Sequence, residues 1–284
     1  MTKIILYTGC ALIAFAFNSI LCRLALKTGE IDAAGFTTIR LLSGALALIT
    51  ISYFSGGKAE KMKLGNWLSA FLLFAYAICF SFAYISLTAG TGALILFGCV
   101  QLTMILAALV KGEKPKILEW VGLCVAVGGL IYLVFPGLTS PPLFSSALMA
   151  FAGISWGIYT LRGKGSSDPL GDTTGNFVRS APMIIIAVLP FLSGMHLSGT
   201  GILLAVLSGA AASGIGYTVW YTVLKHHTTT RSAVLQLAVP VLAAAGGIIF
   251  LSETLTVRLL TAAVLILSGI ALTIGGRKVG ASFN

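Results

Sequence analysis

Ten long apolar stretches run along this chain, at about 4–26, 34–55, 65–88, 92–110, 117–135, 143–161, 175–194, 200–224, 231–250 and 256–276. Short polar or Gly/Pro intervals separate them, among them Gly56-Gly57-Lys58, Lys111 to Lys116 and Pro136 to Pro142. The longest interval is Arg162 to Thr174, with Gly, Ser and Pro169. A helix needs about 20 apolar residues to cross a bilayer, and each stretch is near that length. The pattern predicts an all-α polytopic membrane protein of ten transmembrane helices, the first of which is longer than a signal-peptide core.

Composition sharpens this. The 284 residues are 57% hydrophobic and only 9% charged, with mean hydropathy +1.01. A water-soluble domain carries about 25% charged residues, so that class is excluded, and ten spans leave no room for a separate soluble domain. The net charge of +10 would suggest nucleic acid in a soluble chain. In a membrane protein it reflects basic cytoplasmic loops and anionic lipid head groups, so the bilayer is the expected partner and nucleic acid is not. No obligate protein partner is evident. Thirteen Lys and Arg fall on one side of the predicted spans and three on the other, with Arg40 and Arg179 inside spans. That split places both termini in the cytoplasm.

The two halves repeat. Ala11-Leu-Ile-Ala-Phe-Ala16 matches Ala147-Leu-Met-Ala-Phe-Ala152, and Arg40 precedes Arg179 by 139 positions. An offset of 140 pairs Ala93 with Ala233, Leu102 with Leu242, Glu113 with Glu253 and Gly129 with Gly269. Five helices per copy is an odd number, so the second copy, about 143–278, enters the membrane inverted relative to the first, 1–138. Inverted repeats point to a secondary transporter with its substrate near the midplane.

Candidate chemistry is sparse. All eight acids, Glu30, Asp32, Glu60, Glu113, Glu119, Asp168, Asp172 and Glu253, lie at span ends or in loops, as do His196, His226 and His227. None occupies the place of an intramembrane proton carrier, and no cluster suits a metal or calls for a cofactor. The five cysteines sit inside apolar runs and read as small packing residues. Glu113 and Glu253 are either helix-end charges paired with a nearby base or latches at the edges of the repeats. Arg40 and Arg179, four to six residues into their spans, either snorkel to the interface or hold a substrate carboxylate or gate. Asn18, Gln101 and Gln236 lie within apolar spans and must face the bundle interior, to bind substrate or to join helices. Pro240 in the ninth span frees the carbonyl of residue 236, giving either a polar midplane site or a packing kink.

Aromatic residues recur at helical spacing: Tyr76, Phe80 and Tyr84; Trp156 and Tyr159; Tyr217, Trp220 and Tyr221. They either pack or line an amphipathic cavity able to hold an amino group over a ring face. Tyr84 and Tyr221 also suit an interfacial belt. Gly153-Ile-Ser155-Trp-Gly157 fits the G-x-S-x-G pattern but lies in a span with no His, so it reads as close helix packing, not as a hydrolase elbow. Gly209 to Gly216 reads likewise, or as a flexible point.

These features together, with Ala233…Pro240…Gly246-Gly247…Leu251-Ser-Glu253-Thr, resemble the EamA-type drug/metabolite transporter superfamily, most of all its YddG group of amino-acid exporters. The resemblance implies alternating access around a central cavity. It points to Asn18, Tyr84, Gln101, Trp156, Tyr217, Trp220, Gln236 and Pro240 as substrate-binding residues; Arg40 and Arg179, on opposite leaflets as inversion requires, are the expected gates. Two positions depart: Phe17-Asn18 stands where many members have Trp, and Val100 stands where the second repeat has Pro240. The expected function is export of amino acids or similar small amphipathic metabolites across the bacterial inner membrane. Rivals are a drug- or nucleoside-type exporter, a channel or receptor, and a lipid-modifying enzyme built on His226-His227 with Thr228 to Thr230.

Overall fold

The computed structural model describes residues 2–55, 65–110, 117–135, 137, 140–226, 232 and 235–281. Among them stand ten helices: α1 (Thr2–Lys27), α2 (Ala33–Phe54), α3 (Trp67–Ala83), α4 (Ala89–Val110), α5 (Ile117–Val134), α6 (Leu143–Gly163), α7 (Pro169–Val188, prolonged by a 3-10 turn, Leu189–Gly194), α8 (Gly199–Leu224), α9 (Ala238–Leu251) and α10 (Val257–Ala281). Six are long and apolar enough to cross a membrane, and α3, α5, α9 and α10 contain shorter apolar stretches. The exterior is coated with Leu, Ile, Val and Phe, such as Phe54, Ile117, Phe144 and Ile249, while Arg40, Asn18, Gln101 and Gln236 are buried inside. This is the distribution a bilayer solvent imposes, since unpaired polar groups are costly in hydrocarbon.

The predicted start of the seventh span is displaced. α7 begins at Pro169, six residues before the expected start. Asp168 caps it by accepting from the Gly171 amide at 3.0 Å, and Pro169 occupies the first turn, where its missing N–H costs nothing. Asp168→Ala is expected to cost about 1 kcal/mol, read as a lower melting midpoint in detergent. The longer helix puts Arg179 about 15 Å along α7, deeper than predicted, while Arg40 stands about 10 Å along α2, within a residue of its predicted depth.

Helices of one half pack on those of the other. α1 lies against α8 and α9, α6 against α3 and α4, α2 against α7 and α8, and α5 against α10. Glycines permit the closest approaches. A Cβ at Gly153 would meet the Leu96 carbonyl at 2.5 Å, so the G-x-S-x-G stretch is a packing surface of α6 on α4. α8 is wound with i→i+5 turns over Leu207–Ile215. Winding of that kind brings residues five apart, here Ser208 and Ser213, towards one face, which 3.6 residues per turn would not.

Candidate functional site

Arg40 is the largest charged side chain in the interior, 1% exposed. It does not snorkel. Its Nε donates to Ser213 Oγ at 3.1 Å, and Nη2 donates to the hydroxyls of Tyr217 at 2.8 Å and Tyr76 at 3.2 Å. The guanidinium also lies over the rings of Phe80, 4.8 Å away, and Tyr76, 5.1 Å away. Nη1 has no hydrogen-bond partner, and among the described residues no carboxylate pairs with this charge. Asn18 joins the same network: its Nδ2 donates to the Tyr76 hydroxyl at 3.1 Å, and Ser208 donates to its Oδ1 at 2.5 Å. The unusual winding of α8 is what delivers Ser208 to Asn18 and Ser213 to Arg40 together.

An aromatic cluster adjoins these hydroxyls. Trp156 sits 4.5 Å from Tyr217, 5.0 Å from Tyr76 and 5.6 Å from Phe15, centroid to centroid. Phe15 also contacts Trp220 edge-on at 5.6 Å and Phe97 at 6.5 Å. The indole N–H groups of Trp156 and Trp220 are buried and unpartnered. The cluster thus offers ring faces, unused N–H donors and one cation, drawn from α1, α2, α3, α4, α6 and α8.

Other predicted residues lie elsewhere. Tyr84 and Tyr221 are buried rather than in an interfacial belt. Tyr84 donates to the Ala89 carbonyl at 3.3 Å, away from the cluster's polar core. Gln101 is buried on α4, one turn beyond Phe97. Gln236 Nε2 donates to the Ser232 carbonyl at 3.4 Å, while its buried Oε1 has no partner. Pro240 stands in the first turn of α9 after a break at Leu237, and lines an apolar groove of about 260 Å³ with Gly90, Leu94 and Leu259. Arg179 is half-buried, donates to the Gly175 carbonyl on its own helix at 3.0 Å, and is not among the partners of Arg40. Phe15, Ser208 and Ser213 were not singled out in the sequence.

Polar contacts also join the halves at each end of the bundle. At the end that holds the α1–α2 connection, Arg23 Nε pairs with Glu253 Oε1 at 3.2 Å and its Nη1 donates to the carbonyls of Tyr84 and Ile85, both at 2.9 Å. The Ala89 amide donates to Glu253 Oε2 at 2.8 Å. Ser252, at φ 51°, turns the chain after α9 and aims Glu253 back at α4. Nearby, Ile31 bridges Leu197, and the His196 amide donates to Asp32 at 2.8 Å. At the end that holds the amino terminus, the Gly65 amide donates to Asp172 at 3.0 Å and Arg162 donates to Ser69 and Asn66. A polar cavity of about 50 Å³ opens there, walled by Tyr159, Tyr221, Arg162, Asp172 and Asn176. Tyr159 in turn lies 5.5 Å from Trp156.

Among the described residues no three His, Cys, Asp or Glu side chains gather as a metal site. His226 is exposed on a turn beyond α8. His227, Thr228 to Thr230, Ala233, Glu60 and Glu113 lie outside the described residues, as does the Glu119 side chain.

The sequence profile of the EamA-like transporter family matches this chain twice, over residues 2–135 and 143–275. The chain belongs to the EamA-like transporter family. It is thereby a polytopic membrane protein of a transporter family and not of an enzyme family. An uncharacterised protein of Pseudomonas aeruginosa is 46% identical over 275 residues, spanning 97% of this chain and 96% of its own. The threonine/homoserine exporter RhtA of Escherichia coli is 30% identical over 259 residues, 87% of this chain and 84% of its own. A probable amino-acid metabolite efflux pump of Salmonella typhimurium is 29% identical over 222 residues, 72% and 73% of the two chains. A solved crystal structure 18% identical shares the fold, with TM-score 0.67 over 95% of this chain and 98% of that one.

Proposed function

We propose that this protein exports amino acids or similar small amphipathic metabolites by alternating access, with the Trp156–Tyr217–Asn18 cluster as its midplane site. The observation that carries the reading is the cluster itself: ring faces, hydroxyls and unpartnered N–H groups gathered inside an apolar-coated bundle, on helices from both family-matched halves. A molecule with one apolar and one polar end finds both chemistries there. Relatives named as amino-acid efflux proteins support the same class.

In this reading the two halves are inverted repeats. Two observations favour it. The hydroxyls of Tyr76 and Tyr217, 141 positions apart, lie 3.3 Å from one another. A Cβ at Gly129 would meet Ile266, while one at Gly269 would meet Ala126, a reciprocal contact at an offset of 140. Such i-to-j and j-to-i contacts are what a two-fold axis produces. The end with the polar cavity is then cytoplasmic, since the basic loops gather on that side, and substrate passes Tyr159 and Tyr221 to reach Trp156. The opposite end faces the periplasm of an inner membrane.

The test is counterflow in proteoliposomes with a panel of labelled amino acids. Wild type is expected to exchange label, and Trp156→Ala to lower the exchange about tenfold or more at unchanged folded yield. Trp156→Phe keeps most of the packing volume and should fall between them. Absence of exchange by wild type, or equal exchange by all three proteins, would overturn this assignment.

A further inference from the structure

We propose that Arg40 is the carboxylate anchor of the transported molecule, so that this chain carries monocarboxylates and zwitterions in preference to the corresponding bare amines. The proposal rests on the transport reading of the central cluster and adds the charge that the cluster selects. A guanidinium removed from water costs several kcal/mol unless an anion and good hydrogen bonds compensate it. Here the described residues supply only neutral partners: Ser213, Tyr76 and Tyr217 as acceptors, and two ring faces. The described acids are engaged elsewhere. Glu30 pairs with Ser198, Asp32 with the amides of Gly35 and His196, Asp168 with Gly171, Asp172 with Gly65 and Ser166, and Glu253 with Arg23.

The three neutral partners fix the plane of the guanidinium while leaving both N–H bonds of Nη1 unpaired. A side chain held in this way is pre-organised, and a carboxylate oxygen is the acceptor that satisfies Nη1 and the charge at once. The charge balance also selects. One buried cation neutralises one carboxylate. A dianionic phosphate ester would leave a second charge uncompensated in a dry site, and a bare amine would add a second cation beside the first. The apolar portion of the ligand then meets Trp156 and the other rings of the cluster.

The experiment compares exchange of phenylalanine and threonine with that of their decarboxylated amines, in reconstituted wild type, Arg40→Lys and Arg40→Gln. Wild type is expected to favour at least one acid over its amine by about tenfold or more. Arg40→Gln should lose that preference, with acid exchange falling about tenfold or more further than amine exchange. Arg40→Lys keeps a charge without the planar fork and should raise the KM for the acid about tenfold more than that for its amine. If the glutamine variant does not fold, this KM shift decides. A merely structural arginine would lower acid and amine together. Equal exchange of acid and amine by wild type, or an acid preference that survives in the variants, overturns the anchor and leaves the carrier standing. Wild type that exchanges no member of the panel overturns both.

Discussion

Glu253→Ala is expected to open the Arg23 end of the bundle to water. Glu253 binds both α1, through Arg23, and the start of α4, through the Ala89 amide. The pair is 13% and 8% exposed, which is drier than a surface bridge. Removing one member strands the other charge and an amide at a helix N-terminus, where a carboxylate is favoured. A loss of about 2–3 kcal/mol is reasonable for a pair with some solvent contact, below the 3–5 of a fully dry one. Because 1.4 kcal/mol is tenfold in a population, about 2 kcal/mol favours the open arrangement roughly thirtyfold more than before. Cys22 reports on this directly. It is fully buried, one position before Arg23. With Cys10, Cys79, Cys99 and Cys124 replaced by alanine, a membrane-impermeant thiosulfonate should modify Cys22 slowly in the parent and at least tenfold faster in the Glu253→Ala variant. Identical rates would show that this pair does not hold the end shut.

Ten apolar runs near bilayer length were enough to locate the helices, because hydrocarbon thickness dictates length and leaves few alternatives. The miss at α7 has a local cause. Its first turns, Gly171-Asp-Thr-Thr-Gly-Asn176, are polar and look like loop, yet Thr173 and Thr174 are buried with their hydroxyls donating to the Pro169 and Leu170 carbonyls, and buried Asn176 accepts from the Asn66 amide. Polarity along a chain signals water exposure only where neither the helix itself nor a partner segment supplies hydrogen bonds.

The site was legible in part. Asn18, Trp156 and Tyr217 stand out because an amide, an indole or a phenol within an apolar run needs a partner. Phe15 carries no such mark. Phe17, two residues on, is exposed, and Phe151, its counterpart in the matched hexapeptide, is half-exposed, so only the fold distinguishes the phenylalanine at the centre. Ser208 and Ser213 escaped because helical spacing at 3.6 residues per turn would send them to different faces. Arg40 illustrates a further limit. Depth along a span does not tell a snorkelling arginine from a buried one; the face it occupies does, and that is set by Tyr76 and Tyr217 on other helices.

The second large effect is expected at Gly209, on the i→i+5 stretch of α8. A Cβ there would run into the carbonyl of Arg40 and into Ser43 Oγ, well inside van der Waals contact. The obstacle on α2 is backbone, which cannot rotate aside as the tip of a side chain can. Gly209→Ala must therefore separate α8 from α2, and overpacking of this kind costs about 1–3 kcal/mol. The separation also draws Ser213 from Arg40 and Tyr217 from Tyr76, so activity should fall further than stability does. Gly214 supplies the contrast within the same stretch. A Cβ there finds its nearest atoms at 3.3 Å, the Gly209 carbonyl and a Leu48 side-chain carbon, a tight but adjustable fit. Melting in detergent together with counterflow should separate the two. Gly209→Ala is expected to melt several degrees lower and to exchange label at less than about a tenth of the wild-type rate, with Gly214→Ala near wild type in both. Equal behaviour of the two variants would mean that the approach of α8 to Arg40 is not what holds the central hydroxyls in place.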